Sequence, residues 1–220
     1  MQELDTFNIA RLIIAVLFII MSIIVLARSR HMINYFFALT PLLVSVWAMM
    51  MVFFENSDVL WLRLMVQALF IAGPLGILIS VLLIYYGSDV LRNSLLWFTI
   101  AVYILAGIVI GAWSLINEFS GETESMNIAR GMYNLIICLP LFYSFYFFFQ
   151  VQKEVPEQQL KIRLLLVGIL FVVGGQLLNG VWYLYAGNFH ILAFGMIIIG
   201  LLTSILSFVN IPFVQREVTS

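Results

Sequence analysis

Charge is what this chain has least of. Only 10% of its 220 residues are Asp, Glu, Lys or Arg, against about 25% in a soluble domain. Cysteine is nearly absent. Cys138 stands alone inside an apolar run, so no intrachain disulfide can form and redox compartment is not legible from cysteine. A basic excess is missing too: the net charge of −1 offers no field for nucleic acid.

Catalytic chemistry is equally thin. No carboxylate falls near the middle of any apolar run, where proton relays and cation-coupled transporters usually carry one. No HExxH, GxSxG or intramembrane aspartate pair occurs. The last apolar run has no lysine for a retinal Schiff base. His31 and His190 are placed at opposite faces, so they cannot be paired axial ligands of one haem. These absences predict a chain that is not an enzyme, with no cofactor and no metal site.

What is present is apolar surface. The chain is 64% hydrophobic with a mean hydropathy of +1.11. A globule of this size could not hide that much from water, so lipid is the expected solvent. The sequence predicts an all-α membrane protein: one transmembrane domain over 1–220, a bundle of seven helices near 8–27, 32–54, 59–86, 91–117, 126–150, 160–185 and 189–212. Each run is long enough to cross about 30 Å of hydrocarbon at about 1.5 Å per residue. The alternation of a β-barrel is absent. The first run follows the acidic segment MQELDTFNIAR, which suits a retained span better than a cleaved signal peptide.

Orientation follows from the cations. One side carries Arg28, Arg30, Arg92, Lys153, Lys161, Arg163 and Arg216; the other has only Arg11, Arg63 and Arg130, with seven of the eleven acids. The basic side should be cytoplasmic. That puts the N-terminus outside and the C-terminus inside, in a plasma membrane.

The three outer arginines stand out. Two of them close a repeated tetrapeptide, NIAR at 8–11 and at 127–130. One shared tetrapeptide in so biased a composition is weak evidence of duplication. All three are expected in the first turn or so of a helix, where the macrodipole favours anions rather than cations. Two readings stand open. Each arginine could snorkel to headgroups and outer acids, or all three could converge on an outer cavity with a small anionic ligand. Polar neighbours at helical spacing extend the second reading. Gln67 shares a face with Arg63; Asn127, Arg130, Asn134 and Cys138 form a stripe; Gln176, Asn179 and Tyr183 form another. The candidate ligand-binding residues are thus Arg11, Arg63, Gln67, Arg130, Asn134, Gln176, Asn179 and Tyr183. Trp47, Trp113 and Trp182 fall toward outer helix ends, as an aromatic belt or as pocket walls.

Packing signals are also present. Gly107 and Gly111 form GxxxG, and Gly168, Gly174, Gly175, Gly180, Gly195 and Gly200 mark close helix approach. Pro41, Pro74 and Pro140 predict kinks or local breaks.

Three segments carry a family resemblance: LARSRH at 26–31, VLWLRLMVQALFIAGPLGILISVLLIYYG at 59–87 and KIRLLLVGILFVVGGQLLN at 161–179. The chain resembles the seven-helix N-terminal sensor region of prokaryotic histidine kinases, mainly through Trp61, Arg63, Gln67 and Pro74. The resemblance implies a ligand or membrane-state sensor that signals through the end of its last helix. After NIPFVQ only REVTS follows, so a separate signalling partner is expected. The reading is a non-enzymatic receptor-like sensor for a small or lipidic, possibly anionic, ligand. An accessory or scaffold subunit is the alternative, and a small-solute transporter a further one.

Overall fold

The computed structural model describes residues 6–28, 32–54, 59–156, 159–185 and 190–209; for Thr6, Phe7, Arg28, residues 182–185, His190, Phe208 and Val209 it describes the backbone only. Glu3, Asp5, Arg30, His31, Glu55, Asp58 and Arg216 lie outside the described residues.

The described residues form α1 (Thr6–Arg28), α2 (Met32–Phe54), α3 (Leu60–Tyr86), α4 (Ser94–Ser120), α5 (Thr123–Glu154), α6 (Gln159–Tyr185) and α7 (His190–Val209). No strand occurs among them. α1 to α6 are long and apolar enough to cross a membrane; the apolar part of α7, Ile191–Ser207, is shorter. A helix is the only open-chain form that pairs all its backbone groups internally, which hydrocarbon demands.

The bounds of α4 and α5 differ from expectation at both ends. Residues Ser88–Arg92 form a 3-10 turn rather than the start of α4. Asn93 then caps α4, its Oδ1 accepting the Leu95 N–H at 2.9 Å. The other end of α4 runs on to Ser120. There Gly121, with φ of 78°, takes the left-handed conformation that closes the helix. α5 starts at Thr123 and spans 32 residues. Pro41, Pro74 and Pro140 interrupt nothing, because α2, α3 and α5 each continue through their proline.

Neighbouring contacts set the layout. α1, α2, α3, α5, α6 and α7 follow one another around a ring, which α1 closes against α7; α4 lies outside it against α3 and α5. Small residues allow the close seams. A Cβ on Gly168 would sit 2.7 Å from the Gly200 carbonyl oxygen, and one on Gly200 would sit 2.6 Å from the Gly168 carbonyl oxygen. The α6 and α7 backbones therefore touch directly. Gly107 and Gly111 make a notch in α4 that receives Ile71 and Gln67 of α3.

Away from the arginines, the ring is filled by apolar packing that includes Val25, Phe37, Val81, Phe148 and Leu165. Phe37 and Phe148 meet edge to face at 6.3 Å. Lys161, counted by sequence among the loop cations, is buried here.

Candidate functional site

Inside the ring lies a cavity of about 440 Å³. Arg11, Arg63, Gln67, Arg130, Asn134, Gln176 and Asn179 all line it. They come from α1, α3, α5 and α6, so four helices far apart in sequence place the predicted polar set around one space. The side chain of Tyr183 lies outside the described residues, as does that of Trp182.

The arginines are held by an acid that sequence reasoning counted but never placed in the site. Arg63 Nη2 donates to Glu118 Oε2 at 2.6 Å, and Arg130 Nη2 donates to the same oxygen at 2.8 Å. The side chain of Arg63 is only 11% exposed; those of Arg130 and Glu118 are each 31% exposed. Arg63 also lies over the Phe119 ring at 5.5 Å. One carboxylate at the end of α4 therefore ties α3 and α5 together. It compensates the dipole conflict from both sides, because a carboxylate is as unfavourable at a helix C-terminus as a cation is at an N-terminus.

The expected first-turn placement holds for Arg63 alone. α5 begins earlier than expected, so Arg130 sits seven residues in, and Arg11 sits five residues into α1. The two copies of NIAR are used differently. Arg11 Nη1 donates to Asn8 Oδ1 of its own copy at 3.2 Å, whereas Arg130 reaches across to α4.

Below the arginines lies a polar collar. Asn134 Nδ2 donates to the Arg130 carbonyl at 2.8 Å, and Asn179 Nδ2 donates to Asn134 Oδ1 at 3.2 Å. Cys138 Sγ donates to the Asn134 carbonyl. Tyr133 donates its hydroxyl to the Gln67 carbonyl. Gln67 lies one turn below Arg63, about 6 Å along the axis, with its side-chain oxygen against Gly111. That oxygen and Ser114 Oγ are buried without a hydrogen-bond partner.

Deeper still the walls turn apolar, with Phe18, Val44, Ile137, Ile169 and Ile197 among them. On α1 the lining runs from Arg11 to Met21, and on α5 from Arg130 to Leu141, about 15 Å in each case. Trp47 lines the upper part and stacks on Phe70 at 3.9 Å. It faces inward, while Trp113 is exposed on α4.

The arrangement offers cations and amides to a polar ligand group and apolar walls to the rest of it. Among the described residues, no group of His, Cys, Asp and Glu could hold a metal ion. Comparison with family models, with characterised proteins and with solved structures finds no match for this chain.

Proposed function

We propose that this protein is a receptor-like sensor of seven membrane-spanning helices, with the arginine end outside and the last helix ending in the cytoplasm of a plasma membrane. It binds a small or lipidic ligand in the cavity and acts through a separate signalling partner, without catalysis. The observation that carries the reading is convergence: cations and amides from four helices surround one cavity that grades from charged to apolar. Intramembrane charge around a cavity is a site hypothesis in its own right.

Such a ligand would touch α1, α3, α5 and α6 together. It could shift them only through unequal affinity for two arrangements of the bundle. The shift would reach the partner through the α5–α6 connection and the end of α7. Kinship with the sensor regions of prokaryotic histidine kinases would give that partner its nature. A transporter is disfavoured by the packing of Phe37 on Phe148 below the cavity.

Mass spectrometry of the protein purified in mild detergent tests the proposal. A small molecule should co-purify in stoichiometric amount and be lost in Arg63→Ala and Arg130→Ala variants. If the wild type carries none, and the variants differ from it only in stability, the cavity is a packing defect.

A further inference from the structure

Beside Gln67 Oε1 and Ser114 Oγ, the cavity is lined by a further polar group that the described residues leave unengaged, the side-chain amide of Gln176. It is 8% exposed, it lines the cavity, and it makes no hydrogen bond among the described residues. Its neighbours Asn134 and Asn179 are joined to each other. An amide that opens on a cavity without a protein partner is available to a ligand's polar group. A side-chain amide offers two donors and one acceptor, so its natural complement is a group that both accepts and donates.

The surroundings define the rest of that molecule. Going down α6 from Gln176, the cavity is lined by Val172, Ile169 and Leu165, an apolar stripe about 16 Å long at helical spacing. Phe18 of α1 and Ile137 of α5 continue the same lining. The polar exceptions at depth are Thr40, whose hydroxyl already accepts the Ile77 N–H at 2.8 Å, and Ser204 at the far end.

Going up, the cavity ends among guanidiniums. Among the described residues Arg63 makes a single side-chain hydrogen bond, to Glu118, although a guanidinium carries five N–H groups. Three residues separate Gln176 from Asn179, and four separate Asn134 from Arg130. Together these place Gln176 roughly 10 Å below the arginine level.

We infer that the cavity takes a single-chain acyl amide with an anionic end, such as an N-acyl amino acid, tail first: its chain lies in the apolar shaft, its amide meets Gln176, and its carboxylate meets Arg63 and Arg130. The inference rests on the receptor reading and gives it a ligand class. A plain fatty acid would bind less well, because it leaves Gln176 unmatched.

The test uses the full chain in lipid nanodiscs, with empty nanodiscs subtracted. N-dodecanoylglycine and dodecanoate are compared by calorimetry. The wild type should bind N-dodecanoylglycine about fivefold to tenfold more tightly, the worth of one good hydrogen bond. Gln176→Leu should remove that preference, with dodecanoate bound at least as tightly as by the wild type. Equal binding of the two probes by the wild type, or a preference that survives in Gln176→Leu, overturns the amide assignment while the cavity remains a ligand site. Binding of neither probe also overturns it; the receptor reading then falls only if nothing co-purifies with the protein.

Discussion

Arg63 Nη2 lies 2.6 Å from Glu118 Oε2, joining the start of α3 to the end of α4. Arg130 shares that oxygen from a more exposed position. The two pairs should therefore differ in worth. Removing one partner of a buried pair strands a charge, whereas a half-exposed pair is screened. Glu118→Gln should destabilise the protein by about 2 kcal/mol. In double-mutant cycles the Arg63–Glu118 coupling should reach about 1–2 kcal/mol, and the Arg130–Glu118 coupling should stay below about 1 kcal/mol. Reversible unfolding in mixed micelles measures both, and a larger coupling for Arg130 would contradict the assignment.

Glycines that look alike in sequence should tolerate alanine unequally. A Cβ on Gly107 would meet only side-chain atoms, Cδ1, Cγ1 and Cγ2 of Ile71; a Cβ on Gly200 would meet the Gly168 carbonyl oxygen, which is backbone. Overpacking costs about 1–3 kcal/mol. Gly200→Ala should lie at the upper end of that range and Gly107→Ala at the lower. Thermal unfolding of the two variants side by side decides the order.

Hydrophobic runs made the helices legible, because in lipid the run is the span. The polar stripes were legible for a related reason: a polar side chain must turn inward where lipid offers no partner. Gln67, Asn134, Gln176 and Asn179 accordingly line one cavity. Glu118 was missed through a boundary. With α4 ending at residue 117 it reads as a loop acid; the left-handed Gly121 carries the helix to Ser120 and turns that carboxylate onto α3 and α5. The depth of Arg130 was missed the same way, since Thr123–Ser125 looks like polar loop and is helix. The macrodipole therefore opposes a first-turn cation at Arg63 only. The partnerless state of Gln176 depends on what the other helices bring near it, which spacing along one chain does not contain.

The proposed orientation makes a labelling prediction. Glu122 and Lys153 are exposed near opposite ends of α5, and Cys138 is buried. In intact cells, a membrane-impermeant thiol reagent should modify Glu122→Cys and spare Lys153→Cys until the membrane is opened. The reverse pattern would invert the topology and put the arginine end of the cavity in the cytoplasm.

The tail-first pose gives Trp47 a diagnostic role. Its ring stacks on Phe70 just below the collar, at the level of the upper acyl chain in the pose proposed above. Bromine quenches indole fluorescence only at short range. A chain brominated near its head should therefore quench Trp47 more strongly than the same chain brominated at its tip. In a Trp182→Phe background, Trp47→Phe should abolish the difference, because Trp61, Trp97 and Trp113 are exposed on the bundle surface and see bromine only through the surrounding lipid. If the tip-brominated chain quenches more strongly, the chain enters head first, and Gln176 then faces hydrocarbon rather than an amide.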